Sequence, residues 1–379
     1  MSATLKSDEV LRRCSAIGSY YGFTPLSTLA EGKKLSRRTP YPDSITVDAL
    51  DPVARDVAWF LKQVRDIEVE PSVAQPLFLW HTNAAPGRPA PKNLVIQFHA
   101  LGADHAIADA VLMRTIHALL RDLGKGEPVL RVNSMGDKET RGRFARELTT
   151  FFRKHGASLP EQCVNCAKHD VFEAAELLAA SDADVLPCPT DHLSESSRKH
   201  FESVLEYLEE TGTSYELAPA LLSRGLSWTE TCFAISSGDD LQAWGSRYHD
   251  FARAFFGEEP LPSIGAVIRL TSAGSATIPL MKKPSTPRFV FVHIGDEAKL
   301  ESMKVADDLR RARIPLAQCI GIRTLGEQMR YMEQLNPPYV LIMGRKEALE
   351  RSVILRNRST YTETFIPLDS LVDHLKKVA

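Results

Sequence analysis

The chain has 379 residues, of which 44% are hydrophobic and 25% charged, and its formal net charge at pH 7 is −2. This length predicts two or three domains, and the composition is that of an ordinary globular protein. The near-neutral charge excludes a global basic field for nucleic acid, although a local basic face can still bind it. Six cysteines without a dense framework, no run of about 18 apolar residues and no apolar leader together favour a cytoplasmic protein.

The first hundred residues predict two helices and one antiparallel strand pair. Residues 5–18 form a plausible helix, and residues 20–29 (YYGFTPLSTL) have the pattern of an extended segment with one aromatic side buried. Asp51–Val64 has apolar residues at helical spacing. Pro76–His81 and Asn93–Leu101 are typical of two antiparallel strands, joined by a loop rich in proline, glycine and alanine.

The middle of the chain alternates helices with strands. Ala106–Leu123 has a continuous apolar face and predicts a helix. Residues 130–137 (LRVNSMGD) predict a strand that ends in a polar turn, and a basic helix follows over Thr140–His155. Ser194–Thr211 is an amphipathic helix, and residues 215–236 predict two further strands.

A group of cysteine and histidine residues raises the question of a metal. Thiolates and imidazoles suit tetrahedral zinc, and the group is Cys163, Cys166, His169, Cys188 and His192. The spacing lacks a second closely spaced pair, so Cys188 and His192 would have to supply it. The alternative, two cysteines on a helical turn that faces the core, is favoured, and no metal is expected.

The last hundred residues predict a separate α/β unit after a linker at residues 281–287 (MKKPSTP). Strands and helices alternate there, which predicts a mostly parallel sheet covered by helices. The predicted elements are strand 288–294, helix 297–313, strand 315–320, helix 325–335, strand 339–343, strand 353–356 and helix 368–378.

Several segments resemble the histidyl-tRNA synthetase family, a class II aminoacyl-tRNA synthetase family. Residues 21–26 (YGFTPL) are similar to the first class II signature, which lies at the dimer interface in the family. Residues 224–233 (RGLSWTETCF) are similar to the family motif R-G-L-D-Y-Y-T-x-T-x-F-E, and residues 245–248 (GSRY) to G-G-R-Y. The resemblance implies a catalytic role for Arg224 and substrate contacts for Trp228, Arg247 and Tyr248.

The second class II motif departs from the family pattern. In the family a strand with F-R-x-E precedes a strand with R-E-F-x-Q, and its arginine grips the α-phosphate of ATP, where charge develops during adenylation. In our alignment that arginine becomes Trp80 and the glutamate becomes Thr82, although Phe98 and His99 match. Arg88 of the loop is retained as a substrate-binding candidate, and the alternative is a solvated surface charge.

Two further ATP-binding segments have also changed. Residues 47–52 (VDALDP) stand where the family has L-R-P-E, and they contain neither the arginine nor the glutamate. Residues 262–274 stand where the third motif has G-x-x-x-G-x-E-R, and its Glu-Arg pair becomes Thr271 and Ser272. Arg269 is a displaced substitute at best. The phosphate-binding cations are therefore missing from the alignment.

The C-terminal unit resembles the anticodon-binding domain of the histidyl, glycyl, threonyl and prolyl synthetases. The matching segments are IMGRKE and SVILRN, within residues 342–357. The resemblance implies a tRNA-facing patch, and a set of unrelated solvated charges is the alternative. The candidate residues are Arg323, Gln328, Arg330, Arg345, Lys346, Arg356 and Arg358.

The resemblance implies an α+β class II core with an antiparallel sheet flanked by helices (residues 1–283), followed by an α/β anticodon-binding domain (284–379). Our hypothesis is a histidyl-tRNA synthetase-like protein without aminoacylation activity, which acts through tRNA binding or as a regulatory or partner subunit. The alternative is a divergent but active histidine–tRNA ligase, which would require ATP and Mg²⁺. Candidate partners are tRNA, a second copy of the chain and another protein, and neither membrane nor DNA is expected.

Overall fold

The structure is a computed structural model. It describes residues 6–30, 40–84, 88–89, 91–123, 126–180, 186–222, 228–237, 241–257, 259–271, 287–320, 322 and 324–378. Arg224, Arg323 and most of the 281–287 linker lie outside these ranges. No helix within them is long and apolar enough to cross a membrane.

A large, mainly antiparallel sheet of eight described strands organises the first 271 residues. The strands are β1 (Thr24–Pro25), β2 (Leu77–Thr82), β3 (Asn93–Leu101), β4 (Val129–Ser134), β5 (Glu216–Leu217), β6 (Thr229–Ser237), β7 (Leu241–Arg247) and β8 (Ser263–Thr271). Their spatial order is β1-β2-β3-β8-β7-β6-β4-β5, and only the two-residue outer strands β1 and β5 pair in parallel. This confirms the predicted antiparallel core sheet.

Helices cover both faces of this sheet. They are α1 (Ser7–Tyr20), α2 (Leu26–Leu29), α3 (Pro52–Asp66), α4 (Ile107–Asp122), α5 (Lys138–His155), α6 (Glu161–Cys166), α7 (Val171–Ala179), α8 (Glu195–Glu210) and α9 (His249–Phe256). Helices α1, α4 and α8 pack on one face, and α3 and α9 pack on the other. The α5–α7 helices enclose a smaller apolar cluster beside β6.

Local sequence explains where these helices begin. Asp51 accepts hydrogen bonds from the amides of Val53 and Ala54 at the start of α3, and Pro52 occupies the first helical position. Asp137 accepts a hydrogen bond from the amide of Thr140 at the start of α5. The caps place each helix start at a defined point next to the sheet.

The polar turn after β4 connects two distant parts of the core. Gly136 has a φ of +61°, and a side chain there would overlap Thr140. The backbone of Glu230, at the start of β6, accepts a hydrogen bond from the amide of Met135 and donates one to the carbonyl of Gly136. The turn therefore fixes the β6 bulge, which lies between Thr229 and Cys232.

A second sheet of five described strands forms the C-terminal unit. Its elements are β9 (Phe289–His293), α10 (Asp296–Arg311), β10 (Leu316–Gln318), α11 (Leu325–Leu335), β11 (Tyr339–Met343), α12 (Arg345–Leu349), β12 (Ser352–Asn357), β13 (Glu363–Pro367) and α13 (Leu368–Val378). The strand order is β10-β9-β11-β12-β13, in which the first two pairings are parallel and the last two antiparallel. The prediction of a mostly parallel sheet was wrong for its second half, because β13 was missed and β12 forms hairpins on both sides.

Charged side chains connect a helix of the C-terminal unit to the helices that cover the large sheet. Asp307 of α10 accepts hydrogen bonds from the hydroxyl of Tyr21 and the guanidinium of Arg114 on α4. Arg310, one turn further along α10, lies 3.1 Å from the carboxylate of Asp122 at the end of α4. The buried Arg114–Asp307 pair and the more exposed Arg310–Asp122 pair connect α10 to α4 of the core.

One predicted element differs from the structure near the N-terminus. Residues 20–29 were expected to be extended, but only Thr24–Pro25 form a strand, and Leu26–Leu29 form a helical turn. The fixed φ of Pro25 and its place next to Trp80 of β2 limit the strand to two residues. Phe23 and Leu26 are buried as expected.

Candidate functional site

The candidate site lies on the face of the large sheet under α3 and α9, which we call the site face. Because side chains alternate along strands, the register decides which residues share it. Leu79 of β2 pairs with His99 of β3, and His81 pairs with Gln97. Gly265 of β8 pairs with His99 from the other side, and a Cβ at this glycine would overlap the imidazole ring.

In the structure Trp80 lies on the face of β2 opposite to Gln97 and His99. Trp80 belongs to the apolar cluster on the α1–α4 face, where its ring lies 6.1 Å from that of Phe98. It points away from Gln97 and His99, so the site-facing positions of β2 are Leu79 and His81 rather than Trp80 and Thr82. The inference that the phosphate-binding arginine is missing from these strands is unchanged, because neither β2 nor β3 contains an arginine or a lysine.

Aromatic residues of α3 cover the two histidines of the site face. Phe60 stacks on His99 with ring centroids 3.8 Å apart, and Trp59 lies over His81 at 4.7 Å. Burial lowers the pKa of His81 to about 4 and lowers that of His99 well below its ordinary value. Both imidazoles are therefore neutral at pH 7 and supply no positive charge.

Tyr248, a predicted substrate contact, lies inside the core. Its hydroxyl is 2.7 Å from Nδ1 of His99, and Nε2 of His99 is 3.1 Å from Oε1 of Gln97. Burial raises the pKa of Tyr248 well above its ordinary value, so the phenol is protonated and donates to His99. The histidine then donates to Gln97, and the three side chains form a neutral buried chain.

Arg247, another predicted substrate contact, lies on the opposite face of β7 and is only 1% exposed. Its Nε lies 3.0 Å from both carboxylate oxygens of Asp109 on α4, and the guanidinium also donates to the carbonyls of Ala103 and His105. Burial alone would raise the pKa of Asp109, but the charge of Arg247 outweighs it and the pKa falls below its ordinary value. The ion pair joins β7 to α4.

Trp228, the third predicted substrate contact, packs against Trp244 at the edge of the site face. The two rings are 4.7 Å apart at an interplanar angle of 69°. Arg141 of α5 donates to the carbonyl of Trp228 at 2.9 Å and lies 4.8 Å above the ring of Phe172. The catalytic candidate Arg224, four residues before Trp228, lies outside the described residues.

Two further cations lie near the site strands. Arg269, at the far end of β8, pairs with Val95 of β3 and so lies on the site face, where it donates to the carboxylate of Asp56 on α3 at 2.6 Å. Arg88 is exposed in the loop between β2 and β3. Neither is buried among the histidines of the site face.

Comparison with known proteins gives the family. Residues 280–378 match the model of an anticodon binding domain. A histidine–tRNA ligase of Caldanaerobacter subterraneus is 30% identical over 292 residues, which cover 73% of this chain and 68% of that one. The chain belongs to the histidyl-tRNA synthetase family. A histidine–tRNA ligase of a Geobacillus species is 29% identical over 302 residues, covering 74% of this chain and 70% of that one.

The chain is also similar to one solved structure of a histidyl-tRNA synthetase. It is an apo S. aureus histidyl-tRNA synthetase, 19% identical, with a TM-score of 0.49 and coverage of 99% of this chain and 97% of that one.

The predicted tRNA-facing residues of this histidyl-tRNA synthetase-family chain lie at both ends of the C-terminal sheet. Arg345 follows the carboxyl end of β11 and lies 3.0 Å from Glu297. Arg356 lies near the end of the antiparallel strand β12, where its Nε donates to Glu363 at 2.7 Å. Since β11 and β12 run in opposite directions, Arg345 and Arg356 lie at opposite ends of the sheet, on the order of 13 Å apart along a five-residue strand.

The other C-terminal candidates divide between surface and interior. Arg330 is exposed on α11, and Arg358 donates to Asn336 at 2.7 Å near the Arg356 end. Gln328 is fully buried, where its side chain bonds the backbone amide and carbonyl of His293. Its position inside the domain corrects its assignment to the surface patch. Arg323 lies outside the described residues.

The candidate zinc-binding cysteines have separate surroundings. Cys163 is buried in the apolar cluster of α5–α7, Cys166 donates to the carbonyl of Asp170, and the Sγ of Cys188 lies 3.0 Å from the hydroxyl of Thr190. Among the residues that the structure describes, no group of three or more cysteine, histidine or acidic side chains could hold a metal ion.

Sequence reasoning missed two groups, one on each face of the large sheet. Asp109 was treated as part of an amphipathic helix, although a carboxylate among buried apolar residues is a signal that it has a buried cationic partner. His81 was not considered, because the alignment assigned the motif positions to Trp80 and Thr82. Strand alternation relative to His99 would have identified it.

Proposed function

We propose that this chain is a histidyl-tRNA synthetase-like protein that does not form an aminoacyl-adenylate and acts through tRNA binding or as a regulatory or partner subunit. The observation that carries the proposal is the composition of the site face in β2 and β3. Leu79, His81, Gln97 and His99 offer no positive charge where the family's second motif binds the α-phosphate.

Adenylation requires that charge. The α-phosphate gains negative charge as the amino-acid carboxylate attacks it, and fixed donors or cations lower the barrier by stabilising that charge. Removal of a single positioned donor from such a site commonly lowers the rate by about 10²–10³. Neutral histidines packed under Trp59 and Phe60 cannot replace an arginine in this role.

The C-terminal unit supports the part of the proposal that concerns tRNA binding. It matches the anticodon binding domain model over residues 280–378, and its five described strands and four helices form a complete apolar core. We therefore assign the catalytic-type core to residues 1–283 and the tRNA-binding unit to residues 284–379. A homodimer is the expected assembly, since closed two-fold assemblies are the commonest oligomers.

A divergent active ligase is the second candidate, and the 30% identity to a histidine–tRNA ligase favours it. It predicts that Arg224, or another residue outside the described ranges, supplies the missing cation. In that case ATP, Mg²⁺ and histidine would all be substrates or cofactors of this chain.

One preparation of the full chain separates these candidates. Filter binding measures the affinity for uncharged histidine tRNA across a salt series, and labelled histidine measures its charging. The proposal predicts salt-dependent tRNA binding with no charging above background, and sedimentation at the mass of a dimer. Charging at the rate of a parallel authentic ligase would overturn it. Absence of tRNA binding would leave only the role as a protein partner's subunit.

A further inference from the structure

The C-terminal sheet has an open edge at β13. In the order β10-β9-β11-β12-β13, β13 pairs with β12 on one side, and no other described strand pairs with it on the other. The opposite edge is covered, because α1 lies beside β10 and a Cβ at Gly22 would lie 3.4 Å from the carbonyl oxygen of Gln318. An open edge presents unpaired backbone groups to which another strand can bind.

Hydrogen bonds at the two ends of β13 show which of its residues face outward. The carbonyl of Thr362 accepts from the amide of Asn357, and the amide of Leu368 donates to the carbonyl of Arg351. Because alternate residues of an antiparallel strand bond to the same neighbour, the even-numbered residues between these two bond to β12. The residues whose backbone groups point away from the sheet are therefore Glu363, Phe365 and Pro367.

An apolar row of side chains ends at this edge. Ile342 of β11 pairs with Ile354 of β12, and Ile354 pairs with Phe365, so the three side chains lie side by side on one face of the sheet. Ile342 packs against the cluster under α11, but Ile354 and Phe365 lie outside both apolar clusters of this unit, and Phe365 is 62% exposed. Natural proteins usually avoid an exposed apolar row at an open sheet edge, so it indicates an interaction surface.

We propose that β13 pairs antiparallel with β13 of a second copy of this chain, about a two-fold axis at Phe365. This register is self-complementary, because the N–H and the C=O of Phe365 each meet the opposite group of the same residue in the second copy. The amide of Glu363 then donates to the carbonyl of Pro367 across the axis. The two apolar rows join into one, with the phenyl rings directly opposite each other.

The charges at the edge are compatible with this pairing. The Nε of Arg356 donates to Glu363 at 2.7 Å within one copy, so the carboxylate is already paired before the second copy binds. In the two-fold register Glu363 lies opposite Pro367, which is uncharged, and Thr364 lies opposite Ile366. No like charges of the two strands therefore face each other, which would be destabilising.

The size of the contact sets its strength. Pro367 has no N–H, so the pairing ends there, and two five-residue strands bury far less than the roughly 1,600 Å² of a standard interface. We expect a dissociation constant on the order of 10–100 µM. Because the β10 edge is covered, the strand pairing closes at two copies instead of continuing into a fibre.

The inference goes beyond the expected homodimer, because it names the strand that forms the contact. It does not depend on the loss of adenylation, since an active ligase could associate in the same way. Contact through the core would add a separate association step, which substitutions at β13 leave unchanged. Sedimentation therefore tests the strand pairing independently of catalysis.

Charge substitutions at the axis test the pairing. Phe365→Lys places two ammonium groups opposite each other, and Phe365→Glu places two carboxylates there. Each variant alone should weaken self-association at least about tenfold, measured by sedimentation equilibrium of the full-length chain over about 1–200 µM. A one-to-one mixture of the two variants should associate again, because the axis then places a lysine opposite a glutamate. That recovery requires two copies to meet at this residue.

Leu349→Lys is the matched control. Leu349 is 72% exposed on α12, in the same unit but not on β13, so its substitution should leave self-association unchanged. Urea unfolding verifies that each variant is folded, which the exposure of Phe365 favours. Equal self-association of the parent chain and Phe365→Lys would overturn the inference. A mixture of the two charged variants that associates no better than either alone would also overturn it.

Discussion

Arg247 of β7 and Asp109 of α4 form an ion pair in the core, with Nε 3.0 Å from each carboxylate oxygen and both side chains at most 1% exposed. The guanidinium donates its other hydrogens to the carbonyls of Ala103 and His105, at the start of the segment that leads into α4. One charged pair thus connects the central sheet to its longest buried helix. Arg247, which resembles a substrate-binding arginine of the family, is therefore paired with Asp109 inside the core.

Removal of Asp109's charge should therefore destabilise the fold. Asp109→Asn leaves the Arg247 guanidinium buried without its counter-charge, and we expect a loss of about 3–5 kcal/mol in the free energy of unfolding at pH 7. Urea unfolding followed by circular dichroism measures it. Glu195→Gln, which removes an exposed partner of Lys199, is the control and should change stability by less than about 0.5 kcal/mol. Equal effects of the two substitutions would contradict a structural role for the buried pair.

The buried His81 should make stability depend on pH. Its folded-state pKa of about 4 lies below the ordinary value near 6.5, so between these values the unfolded chain binds a proton that the folded chain does not. Stability therefore falls as pH decreases from about 6.5 towards 4. Between pH 7 and pH 5 we expect His81 alone to account for a loss of about 2 kcal/mol.

A substitution isolates this contribution. His81→Gln should lose about 2 kcal/mol less than the parent protein between pH 7 and pH 5, as measured by urea unfolding at both values. His169→Gln, at an exposed histidine, is the control and should follow the parent. The same pH dependence in all three proteins would mean that His81 is not buried in its neutral form.

The contact between α10 and the core should depend on Asp307. Its carboxylate accepts from Tyr21 and Arg114, and Arg114 is 5% exposed. Asp307→Asn should lower the free energy of unfolding by about 3 kcal/mol, as measured by urea unfolding. Asp308→Asn is adjacent and removes only an exposed pair with Arg311, so it should change stability by less than about 0.5 kcal/mol. Equal losses of stability in the two variants would argue against the Asp307 contact.

Replacing each of two glycines by alanine should change stability in opposite directions. Gly265→Ala places a methyl group against the ring of His99, and we expect a loss of at least about 1–3 kcal/mol with displacement of the His99–Tyr248 hydrogen bond. Gly326→Ala lies in α11 with no atom within 4 Å of the added group, so it should stabilise the chain by up to about 1 kcal/mol. Thermal unfolding measures both. A neutral Gly265→Ala would show that the site face is more open than described.

Periodicity predicted most of the fold. The helix over Asp51–Val64 and the strands over Asn93–Leu101 and Tyr339–Met343 agree with the structure to within two residues, because each has a long, regular apolar pattern. The short elements α12 and β13 were missed, since Phe365 and its neighbours in β13 are largely exposed and give no apolar alternation. The position of this edge strand depends on its pairing with β12 rather than on the burial of its own side chains.

The site was predicted less well, and long-range pairing is the reason. Arg247 and Tyr248 were identified by motif, but their partners Asp109 and His99 lie 138 and 149 residues away in the chain. No local pattern encodes such contacts. The alignment also named Trp80 and Thr82, whereas the residues of β2 that share a face with Gln97 and His99 are Leu79 and His81, because a shift of one residue exchanges the two faces of a strand.

The central claim is that strands β2 and β3 of the site face, where the family's second motif lies, lack the fixed positive charge that adenylation requires. Histidine-dependent exchange of pyrophosphate into ATP tests it most directly, because the assay needs neither tRNA nor a partner protein. With purified full-length chain, Mg²⁺, ATP and histidine, we expect exchange no faster than the histidine-free control, while an authentic histidine–tRNA ligase assayed in parallel exchanges readily. Exchange by this chain at a rate within tenfold of that ligase, and dependent on histidine, would contradict the account.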